Sequence, residues 1–320
     1  MNTTPTATTA EERIWAVLSH LSALAFGIGI ALPVLGWSDQ RRKSSYASFQ
    51  SLQALGYQSL GYTVWALLTA VVTIVLVVTF LNTLDGRDEG GISDTRLSMW
   101  MSGFFIFMFA MLGIYIILPI IAAIRCALGQ DFRYPIMGNR LARYLQHVPP
   151  DKPTDRPWLH EDHEVRWVAA MGHFSILIFL WGMLAPLTAL ILEGRRSAFL
   201  KLQSAQTLLY QAGTTLLYFI AFFLYSIGLV LFIVGIQTIG TQSFDSPIGL
   251  IGLLLFSVVL LLSILLVLLV PFLHILGQWA GYRLLKGDDY RYPLLGRLAE
   301  RWTAKSSLRE TDDLTRQGNR

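Results

Sequence analysis

Apolar positions run through this chain in six long stretches: Ile14–Gly36, Tyr46–Leu84, Leu97–Ile124, Trp167–Leu192, Leu202–Phe244 and Ser246–Tyr282. None contains Asp, Glu, Lys or Arg. About 20 apolar residues suffice to cross a hydrocarbon layer roughly 30 Å thick. Backbone groups in lipid must find partners within their own segment, so the pattern predicts helices. Polar residues punctuate it as short basic loops, "SDQRRKSS" at 38–45 and "EGRRSAF" at 193–199. Residues 147–163, "HVPPDKPTDRPWLHEDH", carry four prolines and many charges and read as a linker.

The polar positions repeat. Residues 13–58 align with 166–211 without a gap at sixteen of forty-six identical positions, an internal duplication. The matches include His20/His173, Gly29/Gly182, Pro33/Pro186, Ser44/Ser197, Gln50/Gln203, Gln53/Gln206, Tyr57/Tyr210 and Gln58/Gln211. A second block pairs "RCALGQDFRYPIMG" (125–138) with "RLLKGDDYRYPLLG" (283–296). The expected organisation is a disordered tail at 1–12, a first repeat at 13–146, the linker at 147–163, a second repeat at 164–304 and a polar tail at 305–320. The Thr-rich start has no basic n-region and reads as a tail, not a cleaved signal.

Charge decides between two topologies. If the first segment of each copy enters and leaves by one face, 23 of the 25 Lys and Arg fall on that face. Only Arg87 and Arg96 fall on the other, beside the acidic Asp85, Asp88, Glu89, Asp94 and Asp245. Six full spans would split the basic residues far more evenly, so the positive-inside rule favours the first arrangement. Gly27, Gly29 and Pro33 near the middle of the first segment permit a break, and Gly182 and Pro186 recur in the second. The expected fold is an all-α integral membrane protein, a tandem repeat of two three-segment helical units. Four full spans plus two re-entrant or broken segments are favoured over six full spans. After each RYP block, Met137, Leu141 and Tyr144, and likewise Leu295, Leu298 and Trp302, fall at amphipathic spacing, which predicts interfacial helices.

Composition adds little: 53% hydrophobic, 14% charged and a net charge of +4, which in such a chain reflects retained cytoplasmic Lys and Arg, not nucleic acid. The lone Cys126 excludes an intramolecular disulfide. "HEDHE" at 160–164 spaces His160 and His163 three apart, whereas the zinc motif H-E-x-x-H needs four. The chain offers no catalytic, cofactor-binding or metal-ligating set. What remains is a candidate intramembrane polar cluster: His20, Gln50, Gln53, Tyr57 and Gln58, with His173, Gln203, Gln206, Tyr210 and Gln211. Amide side chains both donate and accept, so they can tie a broken segment to the next helix. Candidate interfacial lipid contacts are Arg125, Arg133 and Tyr134, with Arg283, Arg291 and Tyr292.

"LSHLSAL…LPVLGW", a basic loop, a Gln-bearing helix start and "IAAIRCALGQDFRYP" together resemble the Tic20-like family (DUF4870), here as two tandem copies. That resemblance implies a membrane-embedded helical module and, through the family's chloroplast members, protein translocation. The expected function is a non-enzymatic scaffold or component of a membrane assembly. The alternative is a small-molecule channel or carrier with a pseudo-symmetric polar cavity formed by the two repeats. The expected setting is the bacterial plasma membrane, with basic loops cytoplasmic, the lipid bilayer and other membrane proteins as partners, and no cofactor.

Overall fold

The computed structural model describes residues 8–84, 94–150, 158–242 and 247–304. The acidic loop with Asp85, Asp88 and Glu89, linker residues 151–157, residues 1–7 of the expected N-terminal tail and the expected polar tail at 305–320 lie outside these residues. Residues 10–12, expected as tail, and 161–163, expected as linker, instead begin helices. Everything described is helix, turn or connecting loop. The helices are α1 (Ala10–Leu21), α2 (Ala31–Gln40), α3 (Ser45–Leu84), α4 (Asp94–Ala127), α5 (Met137–Leu145), α6 (Glu161–Phe174), α7 (Leu184–Glu193), α8 (Ala198–Gln242) and α9 (Pro247–Leu285). A further helix at 295–304 stands where α5 stands in the first copy.

Among the described residues six stretches are long and apolar enough to cross a membrane, two of them being Ala10–Gln40 and Glu161–Glu193. Geometry sets those two apart, because each is folded in half. In the first, Gln40 Nε2 at the end of α2 donates to Glu11 Oε1 at the start of α1 across 3.1 Å. Arg13 Nη1 reaches the carbonyl of Ala127, where α4 ends, at 3.5 Å. The start of α1, the end of α2 and the end of α4 therefore share one face. In the second copy Arg166 Nη1 meets Asp288 O beyond the end of α9 at 3.3 Å. The chain has four full spans and two helical hairpins that turn back, and both copies sit the same way up.

Local chemistry builds each hairpin. Thr9 caps α1 in a reciprocal box with Glu12, which satisfies two of the free N–H groups there. The turn is a tight helical tip, Ser22–Ile30, in which Phe26 adopts φ 51 and ψ −138. Phe179 repeats this at φ 51 and ψ −134 in the tip Ser175–Met183. A non-glycine residue held there costs roughly 1–3 kcal/mol. Gly29 recurs as Gly182 because the chain closes on itself: a Cβ at Gly29 would lie 1.7 Å from Ser22 O, and at Gly182 2.0 Å from Ser175 O. Pro33 and Pro186 are the third residues of α2 and α7, where an amide hydrogen has no helical partner to lose. Ser44 and Ser197 recur because each caps a long helix, accepting from Ala47 N at 3.1 Å and from Leu200 N at 3.2 Å.

At 40 and 45 residues, α3 and α8 are about 60 and 67 Å long, twice the hydrocarbon depth. Each divides into two parts. The first part of α3, with Ala47, Phe49, Leu52 and Leu55, is buried in protein, whereas Val64 to Leu81 present large apolar side chains outward. Leu216 to Ile236 do the same on α8. Such belts, about 27–31 Å tall, match the lipid slab. In the second copy Gly228, Gly235 and Gly252 let α8 and α9 pack closely, with a Cβ at Gly252 only 3.4 Å from Gly235 Cα.

One contact joins the copies at the basic face. Glu164 and Glu193, which stand where the first copy has Glu11 and Gln40, are both buried, Glu193 completely. Arg41, itself buried, lies between them, 2.9 Å from Glu193 and 3.7 Å from Glu164, and also 3.1 Å from Glu161. Its own counterpart in the second copy is Gly194. Trp167 adds a bond from Nε1 to Leu52 O at 2.9 Å and fills the space left by Gly56.

Two outcomes follow from this arrangement. Single cysteines placed in 38–45 and in 194–198 will label from the same side of sealed vesicles, and opposite sides would contradict the folded hairpins. Arg41→Ala takes the cation from the buried Glu164 and leaves Glu193 with Arg196 as its remaining ion pair, a loss of roughly 3 kcal/mol. A fall in the melting temperature of the detergent-solubilised protein reports it, and adding Glu164→Gln with Glu193→Gln recovers most of that fall.

Candidate functional site

The repeated polar residues converge on one tie in each copy, built from three parts of the chain. His20 comes from the inner half of the hairpin, Gln50 and Gln53 from the start of α3, and the third part is the loop after α4. Gln50 Nε2 donates to Asp131 Oδ1 at 3.0 Å and to Phe132 O at 3.1 Å. Its oxygen is thereby turned to His20 Nε2 at 3.0 Å and to Gln53 Nε2 at 3.1 Å. Gln53 also donates to Phe132 O at 2.9 Å and accepts from Tyr134 N at 2.8 Å.

This network assigns the histidine tautomer. Facing an acceptor, Nε2 carries the hydrogen, so Nδ1 accepts from the Tyr134 hydroxyl at 3.0 Å. Burial holds the Tyr134 and Tyr292 phenols well above the ordinary tyrosine value, so both stay protonated and able to donate. In the second copy His173 Nδ1 meets Tyr292 OH at 3.0 Å and Nε2 meets Gln203 Oε1 at 3.3 Å. Gln203 Nε2 reaches Asp289 Oδ1 at 2.8 Å and Tyr290 O at 3.1 Å, and Gln206 bonds to both Gln203 and Tyr290 O.

The remaining members brace the turns. Gln58 Nε2 donates to Ser22 Oγ at 2.8 Å, and Gln211 Nε2 to Gly172 O at 2.8 Å, both beside a hairpin tip. Tyr57 stacks on Tyr134 at 4.2 Å and donates to Tyr115 O at 3.1 Å. That carbonyl sits four residues before Pro119, which has no N–H to offer it, so the tyrosine replaces a missing helix bond. Tyr210 stacks on Tyr292 at 4.0 Å and donates to Leu273 O at 2.8 Å.

Several expectations need correction. Tyr134 and Tyr292 do not face lipid; both are buried among the amides. Arg133 and Arg291 pair with Asp131 and Asp289 inside their own loops, each at 3.1 Å. Arg125 is exposed and donates to Gln130 Oε1 at 2.8 Å, and Arg283 pairs with Asp288. Helix α5 turns Leu141 and Leu145 into the protein core, not into lipid. Its counterpart keeps Leu298 and Trp302 each 50% exposed. The two polar stripes do not face each other across a shared polar cavity, because each is spent within its own copy.

Three contributors escaped the sequence reading. Asp131 gathers Gln50, Arg133 and His147. Its match with Asp289, two residues ahead of each RYP, was the available signal. His147 lies at the start of the linker and stacks on Phe49 at 3.9 Å. Arg41 gave no signal, since a comparison of the copies shows only a mismatch with Gly194.

A family model described as the magnetosome magnetite crystal formation protein family (MamF/MmsF) matches residues 11–141 and again 164–299. Those two regions are the two copies. The match corrects the resemblance to the Tic20-like family and removes the support that resemblance lent to protein translocation. No curated protein matches the chain, and no solved structure does.

Gln53→Leu leaves the buried Tyr134 N–H without its acceptor, at roughly 1–3 kcal/mol, while the Phe132 carbonyl keeps Gln50 as a donor. A lowered melting temperature in detergent is the expected reading. Gln206→Leu will lower it less, because the equivalent Tyr292 N to Gln206 bond is already long at 3.4 Å. Equal melting of both variants and the parent would remove the amides from any supporting part.

Proposed function

Because the chain belongs to the magnetosome magnetite crystal formation protein family, with one family unit in each half, we propose that it is a non-enzymatic integral scaffold of the magnetosome membrane. The observation that carries this reading is the use to which both copies put their buried polar side chains. His20, Gln50, Gln53 and their counterparts close on the chain's own hairpins and loops. Buried polar networks of this kind, when fully satisfied, rigidify and fix one arrangement. A rigid base locked through Arg41 would hold four spans at fixed spacing and present the loops on the opposite face to the vesicle interior. The positive-inside rule then puts the hairpin mouths, with Arg41, Arg42, Arg195 and Arg196, in the cytoplasm.

Magnetic isolation of magnetosomes from source cells expressing a tagged chain tests the location. Enrichment of the tag in the isolated vesicle membrane is expected, with smaller or fewer magnetite crystals by electron microscopy when the gene is removed. A tag confined to the remaining cell membrane, or unchanged crystals, would overturn the proposal. In sealed liposomes the purified chain will give no ion flux above empty vesicles, whereas a steady flux would support the channel reading.

A further inference from the structure

Between the copies, a cleft of about 770 Å³ opens sideways towards lipid, and nothing in the family description accounts for it. Its floor is made by both hairpin tips, including Phe26 and Phe179, and one wall by Trp65, Ala66 and Ala70 of α3. Trp181 of the second tip, which packs against Gly27 of the first, also lines it. Three observations bear on what fills it.

The first is depth. The cleft lies along α3 from Tyr62 to Ile74, and the outward apolar belt of that helix begins at Val64. The space is therefore at hydrocarbon level, outward of the hairpin tips. The second is polarity. The lining is almost wholly aliphatic and aromatic, with Thr69, Thr73 and the Tyr62 hydroxyl as its few polar groups. Thr69 Oγ1 already contacts Met108 Sδ at 3.9 Å. An ordered water needs two to four polar partners, and three such groups leave most of this apolar lining without any.

The third is continuity with the contact between the copies. Trp167 to Leu52 joins the copies before the cleft begins on α3, and Thr63 Oγ1 to Gln278 Oε1, at 3.0 Å, joins them at its near end. Beyond Thr63, Ala66 and Ala70 on α3 leave a gap that the two hairpin tips border. Both strained residues, Phe26 and Phe179, are among its lining, where the two tips share a surface.

We propose that this cleft is a binding site for a phospholipid acyl chain, which completes the contact between the two copies within the membrane. Trp65 and Trp181 supply apolar aromatic lining, and Ala66 and Ala70 supply the width. The inference does not rest on the magnetosome reading and holds in any bilayer.

The test uses the full chain in nanodiscs of phosphatidylcholine carrying a diazirine on one acyl chain. After photolysis, adducts mapped by mass spectrometry should concentrate on Ala66, Ala70 and Trp181, at least severalfold above Val71, Val75 and Val78. Those valines are just as open to bulk lipid, so adducts that follow exposure alone would overturn the site. In native mass spectrometry from mild detergent, Ala66→Trp with Ala70→Trp should lose the phospholipid that the parent retains. Retention unchanged in a variant of unaltered helicity would equally sink the proposal. Should that variant fail to fold, the adduct pattern of the unaltered chain decides alone.

Discussion

A helix that stops and reverses inside apolar surroundings strands its terminal amides and carbonyls, and this one constraint organises the protein. Each such group costs free energy unless it finds a partner. The chain meets the demand with neutral side chains. Ser22 and Ser175 bond the carbonyls just before each tip, Gln58 and Gln211 bond the same turns from the neighbouring helix, and the histidine is fixed from both sides. Ionised groups in those positions would add a desolvation cost that amides and a neutral imidazole avoid. The long helices follow from this arrangement, because their first fifteen or so residues must stay inside protein to reach the hairpin before the remainder can face lipid.

The copies share a plan but do not meet symmetrically. Trp167 of the second copy inserts against α3 of the first, while the residue in its place in the first copy, Ile14, is 58% exposed. On α8 the positions matching Ala66, Thr69 and Ala70 are Phe219, Phe222 and Phe223. Where α3 is cut back to admit a neighbour, α8 is filled out. A head-to-tail contact between like units can in principle continue into a ring or filament. Here α8 carries phenylalanines where α3 carries small residues, so the second copy does not repeat the surface that the first offers.

Much of this was legible in the residues alone. The six apolar runs and the duplication gave the helices and the two copies. The one-sided distribution of Lys and Arg gave the shared orientation, and the match of Gly29 with Gly182 marked the turns. The Gln and His stripes pointed to one another at helical spacing. What stayed hidden has physical reasons. Period and hydropathy say that Tyr134 is amphipathic and near an interface, but not whether its ring faces lipid or protein; only the closed loop decides. Helix α5 and residues 295–304 carry the same pattern, yet α5 packs on α3 and α6 while Leu298 and Trp302 stay half exposed. Arg41 was invisible because its partners lie 120 and 152 residues away in the other copy.

That arginine also bears on how the gene came to be organised. In an assembly of two identical polypeptides, a single codon would have to encode the cation on one subunit and the bare glycine on the other, which is impossible. Joining the two units into one reading frame lifts this restriction: each half can specialise, one as key and the other as lock. The buried ionic contact is then made by residues that differ between the halves, Arg41 on one side and Glu164 with Glu193 on the other.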